Sequence, residues 1–356
     1  MEGMLVGMKP RLLRSDNLTP PARTPWGGTR ICGHLKAGLG LKVSHPIVGE
    51  SWEVSVEPSF PSRMADSGAL LSEVIAAAPG EWLGPEVAQR YRGQTPLLVK
   101  LLDSADNLSV QVHPSDDDPH LREDESGKPE GWIVLNAEPG AGLYLGFQVG
   151  VRRGDVAACL RDGGRLDSLM NFVSVQAGDG FLIEAGTPHA IGRGITLIEP
   201  QHVTPGKRGI TYRYWDWNRR YDPQGRQDPA GAPRTLHLER SLAVTRWDRP
   251  QGDALVSRCR VHAQTLANGA VRHERLVRWP WFHVERLSGS GALRWPLPPS
   301  MVALTAVSGA AVIAAGGEAL ALRQGQSLVI PACVDEVVVT GQETELFATY
   351  VPTRTA

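Results

Sequence analysis

The 356 residues are 42% hydrophobic and 21% charged, with 37 Lys and Arg against 38 Asp and Glu. That suffices for one large or two ordinary buried cores. The balanced, interspersed charge excludes the electrostatic footprint of a nucleic-acid binder or of a protein held on an anionic membrane, so a small-molecule ligand caught by a local site is expected.

The N-terminal run "MEGMLVGMKPRLLRSDNLTPP" has no continuous apolar stretch of the kind a secretory leader needs, and a cytoplasmic location is expected. Short β-branched runs punctuated by 39 Gly and 27 Pro predict a mainly β, turn-rich architecture. Two segments depart from it. Residues 67–93 space Leu70, Leu71, Val74 and Ile75 at helical intervals, and residues 153–172 do the same with Val156, Leu160, Leu166 and Leu169, so both are predicted as helical insertions on a β scaffold.

Between them, "LSVQVHPSDDD" (108–118) reads as a strand with apolar Leu108, Val110 and Val112 on one face and Ser109, Gln111 and His113 on the other. Residues 219–237, rich in Pro and Gly, read as a long surface connection. The apolar run 301–322 is interrupted by Gly309, Gly316, Gly317 and Glu318, which predicts a β-hairpin turning at the Gly pair and not a membrane span. Cys32, Cys159, Cys259 and Cys333 form no close pair, so buried thiols are expected, without a disulfide framework or thiolate metal site.

A weak internal repeat aligns "GDGFLIEAGTPHAI" from Gly178 with "GQSLVIPACVDEVV" from Gly325, pairing Ile183 with Ile330 and Ala185 with Ala332. Two barrels built on one plan are predicted, over residues 1–250 and 251–356. Where the first copy has His189, the second has Glu336. The second barrel is therefore expected to be metal-free.

Residues two apart on a strand point the same way, so Gln111 and His113 can converge on one ion inside a barrel. Glu130, leading into an apolar strand, and His189, just past a Gly turn, are candidate partners. Two imidazoles, a carboxylate and an amide oxygen make a borderline N/O set suited to zinc, one ion per chain, with another divalent metal as the alternative.

"GDGFLIEAGTPHAIG" matches the second cupin motif, with Glu184 at its usual proline position. With "PWGG" (25–28), "GESWEVS" (49–55), "LLVKLLDSADNLSVQVHP" (97–114), "GKPEGW" (127–132), "GTPHAIG" (186–192) and "TYRYWDWNR" (211–219), most of the chain resembles the type I mannose-6-phosphate isomerases of the short bacterial kind. The resemblance implies two cupin-like jelly rolls, Gln111, His113, Glu130 and His189 as zinc ligands, and interconversion of mannose 6-phosphate and fructose 6-phosphate. It further implies that Arg213 lies near the sugar, that Lys100, Ser109 and Lys128 line the pocket, and that Arg219 stands where some members hold the phosphate. Arg213 and Lys100 are the catalytic candidates, Glu199 is a candidate for contact with substrate, and a lysine, a histidine or Glu199 could each move the proton. Residues 199–213 depart from the family pattern in length, and Pro200 replaces an apolar residue. An isomerase of another sugar and a non-catalytic sugar-binding cupin are the alternative readings.

Overall fold

The computed structural model describes residues 8–353; the first part of the stretch read for a leader lies outside them. Strands dominate, as expected. In the N-terminal half two five-stranded antiparallel sheets form. The first runs Tyr212–Trp215, Val110–Val112, His189–Ile191, Gly142–Phe147, Met170–Ser174. The second runs Glu50–Val54, Leu97–Ser104, Ile195–His202, Glu130–Ala137, Gly180–Ile183. Glu130 from the second sheet meets His189 of the first, and His113 just past its strand Val110–Val112, at 3.2 Å, so the sheets face each other as in a cupin-like jelly roll.

The C-terminal half contributes seven strands to one eight-stranded sheet built on three long strands, His283–Pro296, Val302–Ala315 and Glu336–Tyr350. The apolar run 301–322 is the predicted hairpin: Val302–Ala315 pairs with Glu318–Arg323 across Gly316–Gly317. No helix among the described residues is long and apolar enough to cross a membrane.

The repeat is visible in the backbone. Gly178 and Gly325 both take positive φ (93° and 80°), the strands Gly180–Ile183 and Ser327–Ile330 follow, and His189 and Glu336 each open the next strand. Glu336 is spent at the surface, where it pairs with Arg294.

Several boundaries differ from expectation for physical reasons. The helical stretch 67–93 is three short helices, Leu71–Ala77, Pro79–Leu83 and Pro85–Arg90, because Pro79 and Pro85 each start a new one. In the segment 153–172, helix covers Arg153–Arg161 and a single turn covers Leu166–Leu169, but Met170–Ser174 is an edge strand. The loop 219–237 folds back as a small hairpin pairing Arg220–Tyr221 with Ala232–Pro233. Helix Asp253–Cys259 inserts Leu255 and Cys259 into the core of the first unit, so it goes with that unit although the expected boundary precedes it. Of the four cysteines only Cys259 is buried, and Cys333 is exposed.

The halves also share a core. Leu71, Ile75, Trp82 and Val87 of the short helices pack with Val99, Leu101 and Ile198 from one half and Phe282, Val284, Ala303 and Phe347 from the other. Strand Arg11–Leu12 crosses to pair with Leu328 and Val329. Inside this junction Lys36 Nζ lies 2.7 Å from Glu53 Oε1 and donates to the Gly325 carbonyl at 2.9 Å, while Ser51 and Ser327 donate to the two carboxylate oxygens. Both charged side chains are fully buried, so neither can find water if its partner is removed. Glu53→Ala should therefore cost about 3–5 kcal/mol in denaturant unfolding, and adding Lys36→Met should recover much of it. A loss below about 1 kcal/mol for the single variant would show that the pair is dispensable.

Candidate active site

Gln111 and His189 lie opposite each other in neighbouring strands, and Arg213 lies opposite Gln111 on the other side. From the facing sheet, Lys100, Glu199, Gln201 and Glu130 occupy adjacent registers: Glu199 pairs with Lys100, and Gln201 with Glu130. The alternation of side chains then aims all of these polar groups between the sheets.

His113, Glu130 and His189 are buried, and one ligand atom from each lies within 4.8 Å of the others. The imidazole tautomers follow from their partners. His113 Nδ1–H donates to the Ile210 carbonyl at 3.0 Å and His189 Nδ1–H to the Thr187 carbonyl at 2.8 Å, which leaves both Nε2 lone pairs facing the Glu130 carboxylate. Burial first, then the Lys128 charge, lowers His113 to about 4. Burial alone would raise Glu130, but His113 and Lys128 overcome it and hold the carboxyl well below its usual range.

Three lone-pair atoms thus face one another without a proton among them, and His113 Nε2 and Glu130 Oε1 are buried with no hydrogen-bond partner. Such an arrangement is costly unless a cation sits there. Two neutral imidazoles and a carboxylate, with no sulfur, fit zinc or a similar divalent ion. Gln201 Nε2 donates to Glu130 Oε2 at 2.7 Å and Lys128 Nζ lies 3.6 Å away, fixing the carboxylate from behind. The Gln111 amide reaches the same place, its Nε2 lying 3.3 Å from His189 Nε2.

Beside this cluster is a cavity of about 270 Å³ lined by Lys100, Ser109, Gln111, Lys128, Glu199 and Arg213 among others. Lys100 Nζ lies 3.5 Å from Glu199, 3.7 Å from Glu50 and 4.5 Å from the centre of the Trp52 ring. Burial would discharge this lysine, yet Glu50 and Glu199 more than compensate and raise it. Burial, followed by the nearby Glu130 charge, pushes Glu199 up to about 7, and the Trp132 indole donates to its Oε1 at 3.0 Å. Arg213 Nε donates to Ser109 Oγ at 3.0 Å, and Ser109 in turn reaches Gln111 Oε1 at 3.5 Å.

One expected residue is elsewhere. Arg219 is not part of the lining; its guanidinium is tied to Asp216 at 2.7 Å and Asp106 at 2.8 Å, so its charge is already neutralised. Arg213, by contrast, has no ion pair with Asp216. Sequence reasoning overlooked Gln201, Trp132, Arg23 and Arg234. Gln201 was within reach, because it shares a strand face with Glu199 by the alternation that marked Ser109, Gln111 and His113. The departing segment 199–213 adds a two-residue bridge, Arg208–Gly209 alongside Glu125–Ser126, and contributes Gly209 and Thr211 to the cavity wall. Pro200 keeps its place in the central strand, opposite Val99.

Comparison with known proteins agrees with this fold. The family described as phosphomannose isomerase type I, catalytic domain, matches residues 24–139. A mannose-6-phosphate isomerase of Streptococcus mutans is 31% identical over 312 residues, covering 86% of this chain and 88% of its own. Among solved structures, the mannose 6-phosphate isomerase of Bacillus subtilis superposes with a TM-score of 0.79 over 96% of this chain and 99% of that one, at 22% identity. A mannose 6-phosphate isomerase bound with zinc and yttrium gives 0.71 over 97% and 100%, at 16% identity. At these identities the two structures speak for the fold alone.

The depressed His113 value gives a direct check on the metal-free protein. An NMR titration of its ring protons should place the midpoint near 4. Between the ordinary histidine value of ~6.5 and that midpoint, the unfolded chain takes up a proton that the folded one refuses, so stability falls as pH falls through this window. A midpoint near ~6.5 would contradict the buried, neutral imidazole described here.

Proposed function

The chain belongs to the type I mannose-6-phosphate isomerases, and from that premise we propose that it interconverts mannose 6-phosphate and fructose 6-phosphate in the cavity beside His113, Glu130 and His189. The observation that carries this reading is the set of three buried ligand atoms, two of them without hydrogen-bond partners, set against a polar cavity with several cationic side chains. His113 Nε2, His189 Nε2 and a Glu130 oxygen would hold the cation, and the Gln111 amide, turned to present Oε1, would complete the set. When bound, zinc would supply Lewis-acid stabilisation of the negative charge that develops on the sugar oxygens.

The chain's own residues do the rest. Isomerisation moves a proton between C2 and C1 of the open-chain sugar, through an enediol. Glu199, titrating near 7 and aimed into the cavity, is matched to hold and release that proton at neutral pH. Lys100, charged and pinned between Glu50 and Glu199, orients the carboxyl and offers a donor to a sugar oxygen. Ser109 positions both Gln111 and Arg213. Arg213, held by Ser109 and by the Thr235 carbonyl, presents a planar cation beside the reacting carbons, where it favours charge that appears only on the way over the barrier.

Elemental analysis should find about one equivalent of metal per chain, following the single cluster. Chelation should abolish interconversion, added zinc should restore it, and His113→Ala with His189→Ala should remove the metal. Full activity in metal-free protein would sink the proposal.

For Arg213→Lys, kcat should fall by roughly 10- to 100-fold with KM nearly constant, because the charge survives but the planar fork does not. A raised KM at unaltered kcat, with metal content and Tm normal, would assign Arg213 to substrate capture instead.

A further inference from the structure

The cations around the cavity divide into those already neutralised and those left over. Lys100 has Glu50 and Glu199, Lys128 has Glu130, and Arg219, outside the lining, has Asp106 and Asp216. The Arg213 guanidinium hydrogen-bonds only to the neutral oxygens of Ser109 and Thr235 among the described residues. Arg23, which is exposed, makes no side-chain hydrogen bond or ion pair among the described residues. Its guanidinium lies over the rings of Phe60 at 4.7 Å and Trp52 at 5.5 Å. Arg234 Nη1 stands 3.8 Å from Asp216 Oδ1, the oxygen that Arg219 engages at 2.7 Å, and is buried without a hydrogen-bond partner, as is Asp216 Oδ2.

Three guanidiniums on three chain segments therefore line one cavity, none of them hydrogen-bonded to a carboxylate among the described residues, although Glu57 shares the lining and Glu50 lies near enough to Arg23 to feel its charge. After burial, the charge of Arg234 is the next cause of the depressed Arg213 value, about 10, so these two like charges are near neighbours. Gathering them costs free energy unless an anion joins them. Packing brings Arg23 to the same place: the turn before it abuts the hairpin that carries Arg234. A Cβ on Gly225, at the hairpin's tip, would stand 2.4 Å from the Pro21 carbonyl oxygen. The aromatic backing of Arg23 and the hairpin stem beside Arg234 hold the two forks in place, and such forks match the oxygens of a phosphate.

We infer that Arg23 and Arg234 form the clamp that holds the phosphate of the substrate at the cavity mouth, the role that Arg219 cannot fill. The inference rests on the sugar-phosphate reading above. Arg213 then lies between the clamp and the reacting carbons. Binding energy from the remote phosphate is what aligns those carbons.

The test is a calorimetric titration of inorganic phosphate into the zinc-supplemented wild type and into Arg23→Gln, Arg234→Gln, Arg234→Lys and Arg219→Gln, alongside kinetics on mannose 6-phosphate. Arg23→Gln and Arg234→Gln should each weaken phosphate at least tenfold and raise KM by a similar factor, with a much smaller change in kcat. Arg234→Lys should recover part of that loss, and Arg219→Gln, which frees Asp216 to pair with Arg234, should weaken phosphate by less than Arg234→Gln does. Arg23 is exposed, so its variant keeps the test valid if the hairpin variants fail to fold. A wild type that binds no phosphate, Gln variants that bind it normally, or an Arg219→Gln variant as impaired as Arg234→Gln would each overturn the clamp. Loss of phosphate binding in a protein that does not isomerise mannose 6-phosphate would keep the clamp and overturn the isomerase reading. Normal isomerisation with phosphate affinity unmoved would do the reverse.

Discussion

A carboxylate with no access to water sits at the centre of this structure. Glu130 is fully buried, and an isolated buried charge would cost many kcal/mol, so it depends on the groups that surround it. Gln201 donates to one oxygen, Lys128 stands behind it, and two imidazoles turn their lone pairs towards it. Those lone pairs do not compensate the charge; they add to the demand for a cation. The backbone carbonyls of Ile210 and Thr187 enforce this by claiming the Nδ1 protons. A site that would be unfavourable without metal is thereby poised to take one.

The same arrangement explains the cavity beside it. Strand Ile195–His202 is buried along its whole length, yet it turns Glu199 and Gln201 inward at alternate positions. Gln201 serves the ligand carboxylate, and Glu199, two residues earlier, sits beside Lys100. One strand therefore supports both the candidate metal site and the residue proposed to move the proton. On the other side, strand Glu50–Val54 sends Glu50 and Trp52 towards Lys100 and sends Glu53 the opposite way into the junction with the second half. The C-terminal half thus braces a wall of the cavity through Ser327 and Gly325, although its own repeat of the His189 position carries only a surface Glu336.

What could be read from the chain is what short-range geometry dictates. The alternation in Ser109, Gln111 and His113, the Gly turn before a strand and a histidine, and the Gly pair in 301–322 each constrain the backbone within a few residues. Their outcomes were legible for that reason. Pairings across long sequence distances were not. Arg219 reads as a free cation until Asp106, over a hundred residues earlier, is folded against it. Lys36 and Glu53 look like ordinary surface charges in sequence, and helix Asp253–Cys259 gives no local sign of which half it joins. Arg23 and Arg234 become a pair only once the hairpin lies against the turn at Pro21.

His113, Glu130 and His189 are proposed to hold one divalent cation through nitrogen and oxygen atoms alone. X-ray absorption at the zinc edge of the purified, zinc-loaded protein reads this directly. The spectrum should show two imidazole nitrogens and additional oxygens at ~2.0–2.2 Å, with no sulfur, and should lose the imidazole signal in His113→Ala with His189→Ala. A sulfur shell at ~2.3 Å, or an unchanged spectrum in the double variant, would show that the metal binds elsewhere.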